Sequence, residues 1–450
     1  MTAPAVFSRV FGFFLVLMIM TLSLVTPQAA QSQTTRIIRV VSPGGIEAWL
    51  VREKTLPLIA MEFAFIGGAA QDPKAKPGVA SLTASLLDEG AGNLNAEAFH
   101  RAVADKAMEI GFDANRDDLR GSLRTLSENK DAAFDLLRLA VTQPRFDPEA
   151  VERIRAAQLA ALRRRSTDPN SIASETWFSR AFPDHPYGRP VDGSLASVPT
   201  ITREDLAGFA KKTLARSNLK VAVVGDISPE DLGRALDHVF GALPAKAELT
   251  PVAEVTPKGI GTVDVVPLEV PQSVVLMGSS GLKRQDPDFI PAFVLNHILG
   301  GSAFSSRLFK EVREARGLAY SVYSYQVALD HVGLWFAGTA TKNERAGESI
   351  RIIGEEFAKI LSEGPTQEEL DEAKSYLTGS YALRFDTSAK VAGQLLQIQI
   401  DDLGIDYIDK RNALIQAVTL DDIKRAAKRL TDAQKALTVV VGRPQGLSGG

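Results

Sequence analysis

Thr202-Arg-Glu-Asp-Leu206 followed by Leu219-Lys-Val-Ala-Val-Val-Gly225 reads as a capped helix start and then an apolar strand. The same arrangement returns as Thr419-Leu-Asp-Asp-Ile423 followed by Leu437-Thr-Val-Val-Val-Gly442. The offset is constant, since 419 − 202 = 217 and 442 − 225 = 217. Upstream, Gln71-Asp72-Pro73 answers Gln285-Asp286-Pro287 at 285 − 71 = 214. A register held over most of the chain implies two homologous domains of roughly 210 residues each. The joint falls in the Pro-, Thr- and Glu-containing stretch 244–259. The expected layout is a leader over 1–30, a first domain over 31–245, a linker over 246–258 and a second domain over 259–450.

Within each half, strand and helix signals alternate. Leu58–Ile66 sets Ile59, Met61, Phe63 and Phe65 on one side, the period of a half-covered strand. Asp147-Pro148 and Ser228-Pro229 each offer a cap followed by proline at the first helical position. Thr366-Gln-Glu-Glu369 fits a capping box, and Glu149–Arg165 runs without a breaker. The fold class predicted is α+β, with helices on one side of each sheet.

Composition narrows the function. With 45% hydrophobic and 23% charged residues among 450, the chain is an ordinary globular protein with material for a large core. Lys+Arg number 51 against 54 Asp+Glu, a net charge of −3 that gives no footprint for nucleic acid. Arg163-Arg164-Arg165 is read as a solvated helix end that suits the helix dipole. Zero cysteines exclude disulfides, thiolate metal sites, cysteine nucleophiles and a lipidated N-terminal cysteine. At the N-terminus, Arg9 precedes the apolar run 10–25 and then the small, polar Thr-Pro-Gln-Ala-Ala-Gln-Ser-Gln-Thr-Thr. That order reads as a secretory signal peptide. The run is shorter than the ~20 residues a spanning helix requires. The expectation is cleavage between Ala29 and Ser32, no stable membrane span thereafter, and a periplasmic or secreted protein.

Further stretches carry a resemblance. Gly67-Gly-Ala-Ala-Gln-Asp-Pro73, Gly78-Val-Ala80, His185-Pro-Tyr-Gly-Arg-Pro190, the strand end Val223-Val-Gly-Asp226, and Ser305-Ser-Arg-Leu-Phe-Lys-Glu-Val-Arg-Glu-Ala-Arg-Gly-Leu-Ala-Tyr320 resemble the pitrilysin/insulinase (inverzincin) zinc metallopeptidases. The form is the bacterial two-domain one, similar also to subunits of mitochondrial processing peptidase. The resemblance implies a tandem of two mixed sheet-plus-helix domains facing each other across a cavity, with zinc on the first domain of a catalytic chain.

A catalytic inverzincin carries H-x-x-E-H, two imidazoles on one helical face for zinc and a glutamate to deprotonate the bound water. The equivalent positions here are Ser81, Ala84 and Ser85. A hydroxyl is a poor zinc ligand at neutral pH, and alanine accepts no proton. The third ligand, a glutamate, is expected near residues 160–162, but 153–165 holds no carboxylate. The histidines, His100, His185, His238, His297 and His331, show no ligand spacing. Asp88-Glu89 and Asp117-Asp118 are read as solvated surface carboxylates. His185-Pro-Tyr-Gly is read as a turn that locks helix packing. No metal site and no catalytic residue are therefore expected in this chain alone.

The second domain keeps the other half of the chemistry. The resemblance implies an arginine and a tyrosine seven residues apart that reach the substrate, and Arg313 and Tyr320 match, since 320 − 313 = 7. A phenol donates to a carbonyl oxygen gaining charge, and a guanidinium offers several donors to a peptide backbone. Gly300-Gly301 would admit close backbone approach. The function expected is a non-catalytic, substrate-binding subunit of a heteromeric peptidase, handling unfolded peptides beside a homologous zinc-bearing partner. A stand-alone peptide-binding or assembly protein is the alternative.

Overall fold

The computed structural model describes residues 36–430 and 435–447; the expected leader, residues 1–30, lies outside them. The first half contributes strands β1 (Ile37–Val41), β2 (Glu47–Arg52), β3 (Leu58–Ile66), β4 (Gly90–Ala91), β5 (Leu94–Asn95), β6 (Glu109–Ala114), β7 (Asp118–Leu126) and β8 (Leu219–Gly225). Its helices are α1 (Val79–Ala84), α2 (Ala96–Asp105), α3 (Lys130–Thr142), α4 (Pro148–Arg165), α5 (Pro169–Ala181), α6 (Arg203–Thr213) and α7 (Pro229–Phe240). The second half contributes β9 (Val263–Pro267), β10 (Gln272–Ser280), β11 (Ala319–Leu329), β12 (Val332–Lys342) and β13 (Leu437–Gly442). Its helices are α8 (Phe289–Asn296), α9 (Ala346–Glu363), α10 (Gln367–Gly379), α11 (Ser388–Ile400), α12 (Tyr407–Ala417) and α13 (Leu420–Arg429). Among the described residues no helix is long and apolar enough to cross a membrane.

The internal repeat is a repeat of topology. The first sheet runs β1-β2-β8-β3-β7-β6 and the second β11-β12-β10-β13-β9, so five strands correspond one to one in reversed order of writing. In both, one pair alone is parallel, β2 with β8 and β9 with β13. The helix before the β8 or β13 strand is capped alike. Thr202 Oγ1 accepts from the Asp205 N–H at 3.3 Å while the Asp205 carboxylate accepts from the Thr202 N–H at 2.7 Å. Thr419 and Asp422 do the same at 3.1 and 2.9 Å. Thr366 and Glu369 close a third box at 3.1 and 2.8 Å, and Ser228 caps α7 through the Asp231 N–H at 3.0 Å. Asp147 makes no cap bond; its carboxylate lies 2.6 Å from Arg145, and Pro148 alone sets the start of α4.

Strand β3 corrects the half-covered expectation. Ile59, Met61, Phe63 and Phe65 are fully buried in the first core, as the period requires. The opposite face is covered too, because Ala60 and Ala64 leave room for a helix and α11 of the second half occupies it. There Ala392 and Leu395 are fully buried among Trp49, Ala222 and Val224, and Gln399 Nε2 donates to the Val221 carbonyl at 2.9 Å. The favour is returned by α5, which lies across β10 and β13 of the second sheet with Trp177 at its centre. Trp177 Nε1 donates to the Leu437 carbonyl at 3.0 Å, and its ring stands edge-on to Phe336 at 4.5 Å. Gly278 makes this possible, since a Cβ there would lie 2.5 Å from the indole. The exchanged helices start 388 − 169 = 219 residues apart, close to the repeat offset. Each sheet is therefore sandwiched between its own half's helices and one helix from the other half. The molecule is a tandem of two α+β units.

Candidate functional site

Helix α1 is held by its N-terminal loop. The buried Asp72 carboxylate accepts from the Gly78 N–H at 2.7 Å and the Ala80 N–H at 2.8 Å, satisfying two orphan donors of the first turn. Gly78 turns at φ 103, a value that suits glycine, and a Cβ there would lie 2.9 Å from Gly193. The helix then points Ser81, Ala84 and Ser85 to three different places. Ser81 Oγ donates to Asp192 Oδ1 at 2.9 Å. Ala84 is fully buried in the first core, and Ser85 is exposed at the helix end.

The neighbouring helix α4 adds no ligand. Gln158 Nε2 donates to the Asp192 carbonyl at 2.7 Å, and Arg165 pairs with the Asp192 carboxylate and, at 3.0 Å, with Glu175. A hydroxyl, a guanidinium-bound carboxylate and an amide thus stand where a zinc enzyme would present imidazoles. This donor set does not fit zinc. Among the described residues no group of three or more His, Asp and Glu side chains is arranged to hold a metal ion.

The histidines are separately engaged. His100 lies 3.6 Å from Glu89, His238 2.7 Å from Asp135 and His331 3.5 Å from Glu254. His297 stacks on Tyr376 at 5.0 Å, and the His185 ring accepts from the Tyr187 N–H at 3.2 Å.

The carboxylate pairs expected at the surface are partly interior, a correction with an electrostatic cause. Glu89 is buried beneath the Arg153 guanidinium, and Asp118 is buried against Arg120 at 2.8 Å. Asp117 Oδ1 accepts from the Tyr187 hydroxyl at 2.6 Å, and that hydroxyl accepts from the His331 N–H at 3.1 Å. These bonds tie the Pro186–Gly188 turn of the first half to the β11–β12 turn of the second. Burial raises the Asp117 pKa, and it pushes the neighbouring Asp330 up to about 6 with help from Asp117. Arg163 and Arg164 are exposed as expected.

Arg313 and Tyr320 are brought together. Arg313 sits on the π-helical segment Phe309–Glu314, with its guanidinium carbon 4.4 Å over the Tyr320 ring and 4.9 Å over that of Phe309. Tyr320 is 82% exposed near the start of β11, the free edge of the second sheet. A break in register between Ala319 and Val322 turns Tyr320 and Ser321 outward together. Tyr323 and Tyr325 continue the exposed side of the strand, with rings 5.9 Å apart. The Tyr-Ser-Val-Tyr-Ser-Tyr spacing was the signal for this aromatic edge. Gly300 has a role other than the expected one: a Cβ would lie 2.7 Å from the Ser324 nitrogen, so its bareness seats β11.

A family profile described as Insulinase (Peptidase family M16) matches residues 58–194, and one described as Peptidase M16 inactive domain matches 200–377. The chain is 30% identical over 335 residues to the non-peptidase homolog YmxG of Helicobacter pylori, covering 74% of this chain and 77% of that one. It is 27% identical over 412 residues to an uncharacterized zinc protease of Streptomyces coelicolor, covering 89% of each. A crystal structure of a peptidase M16 inactive domain from Pseudomonas fluorescens superposes with a TM-score of 0.86 at 30% identity, covering 92% of this chain and 99% of that one.

Proposed function

The chain belongs to the M16 family of insulinase-type peptidases as a non-catalytic member, and we propose that it is the substrate-binding subunit of a heteromeric zinc peptidase outside the cytoplasm. The observation that carries this reading is the pairing of an α1 helix without metal donors with an intact Arg313–Tyr320 pair on an exposed strand. The cation–π contact holds the guanidinium and phenol in one orientation, and both are donors suited to a peptide carbonyl that gains negative charge. A homologous partner chain would carry the zinc. Extended peptides have a docking edge in β6, which ends the first sheet and lies against α1. The leader-like first 30 residues of the sequence support the extracytoplasmic location.

The test is peptide hydrolysis by this chain, by an H-x-x-E-H chain of the same organism, and by the two mixed, with metal content measured in each. Hydrolysis only in the mixture, abolished by chelator, is the expected result. Tyr320→Phe in the mixture should lower turnover about 10²–10³-fold, as loss of one transition-state donor does. Unchanged turnover refutes its role. Peptide bound by this chain with no hydrolysis in the mixture identifies a stand-alone binding or assembly protein instead.

A further inference from the structure

Three guanidinium groups converge on one cavity of about 650 Å³ in the second half, where α11 leaves for the first sheet. Arg284, Arg384 and Arg411 line it, and Asp401 is the one carboxylate in the lining. Arg284 is accounted for, donating to the Tyr407 hydroxyl at 2.6 Å and lying 3.5 Å from Asp401. Arg411 is not. It is 5% exposed, lies 4.0 Å over the Tyr381 ring, and donates to the Leu377 carbonyl and to Asn412 Oδ1, both at 3.1 Å. Neither acceptor carries a charge. Burial lowers the Arg411 pKa, and the nearby Arg384 and Arg284 charges lower it further. Burial raises the pKa of Asp401, and that carboxylate is already engaged, beside Arg284 and accepting from Gln397 Nε2 at 2.8 Å. Buried cations are stable when an anion meets them, and here the chain supplies too few.

The rest of the lining says what kind of anion fits. Tyr325 and Tyr376 are large exposed aromatics at this site, and Phe289, Ile398 and Leu403 add apolar wall. Gln326 is also in the lining, and its carboxamide Nε2 and Oε1 are both buried in the wall and both without a partner among the described residues. One unsatisfied donor beside one unsatisfied acceptor is the complement of a peptide group. The volume lies within the ~300–1,000 Å³ of ligand pockets.

We propose that this cavity receives the C-terminal end of a peptide, with its free carboxylate between Arg384 and Arg411, its last side chain against Tyr325 and Tyr376, and a peptide group at Gln326. This assignment rests on the peptide-binding reading above and adds to it a recognition of chain ends.

The test is fluorescence anisotropy with the purified chain and a fluorescein-labelled decapeptide ending in Leu-Phe, as free acid and as C-terminal amide. The acid should bind at least about tenfold tighter, the scale of a charge-assisted bidentate contact. Arg384→Gln, at an exposed position, should bring the acid-to-amide ratio near one without weakening the amide. Arg411→Lys should reduce the ratio while keeping the positive charge over Tyr381. Equal affinity of acid and amide for the unaltered chain overturns the cavity assignment and leaves peptide binding intact, whereas binding of neither overturns both. Should 3-phenylpropionate bind as tightly as the peptide acid, the cavity is one for small aromatic acids and the peptide assignment fails.

Discussion

Trp177→Ala tests whether the exchanged helices hold the two halves together. The side chain is fully buried, stands edge-on to Phe336 and Phe178, and donates to the Leu437 carbonyl at 3.0 Å. Truncating a buried tryptophan to alanine costs about 3–5 kcal/mol through lost transfer energy and the cavity left behind. The lost hydrogen bond adds about 1 kcal/mol. The sum is a large fraction of the ~5–15 kcal/mol that stabilises a typical domain. Because Trp177 belongs to the first half and packs on the second half's sheet, the whole cooperative transition should move. The assay is urea unfolding followed by far-UV circular dichroism, which does not depend on the removed fluorophore. Trp177→Phe should cost about 1–2 kcal/mol, keeping an aromatic ring while losing the donor. A cost under about 1.5 kcal/mol for the alanine variant, or two separate transitions of which only one shifts, refutes the interlocked picture.

Rebuilding the motif with Ser81→His, Ala84→Glu and Ser85→His should yield no stoichiometric zinc by elemental analysis. Thermal stability should also fall, because Ala84 is fully buried in the apolar core and an unpaired carboxylate there costs about 2 kcal/mol or more. Stoichiometric zinc would contradict the geometry. Glu62, on the α11-facing side of β3, is pushed up to about 7 by burial first and by Asp113 second. Its native state binds the extra proton between the unfolded pKa near 4.3 and about 7, so the associated stability is lost as pH rises through that window. Glu62→Gln should therefore gain on the unaltered chain between pH 5 and pH 8, by about 1–2 kcal/mol after allowance for solvent screening; parallel pH profiles in denaturant titrations would sink this. Gly300→Ala should destabilise by about 1–3 kcal/mol, since the new methyl would lie 2.6 Å from Ser324 Oγ, and an unchanged melting temperature would show that β11 is not seated on it.

The repeat was legible because its signals are local. A threonine followed three residues on by a carboxylate, and then an apolar strand ending in glycine, are short-range chemistry that survives without knowledge of tertiary contacts. The degenerate zinc motif was legible for the same reason, since the five residues from Ser81 to Ser85 suffice to read it. The exchange of α5 and α11 was hidden. Ala60 and Ala64 look like weak positions on the polar side of β3, and only the helix that arrives from more than three hundred residues away turns them into core. Glu89 and Asp118 misled in a similar way, because a carboxylate's burial depends on whether Arg153 or Arg120 meets it. The arginine cavity was invisible because Arg284, Arg384 and Arg411 are scattered along the chain and line one cavity only in the folded protein.

The exchanged helices also bear on how such a chain could arise. A single half, released from its sister, would bare the apolar face of its sheet that the borrowed helix now hides, and patches of that kind drive association. Two identical copies of an ancestral half could have covered one another by trading that helix, which is the geometry of a swapped homodimer. Joining the copies into one polypeptide makes the trade permanent and independent of concentration. It also frees each half to diverge in sequence while the shared strand order is kept.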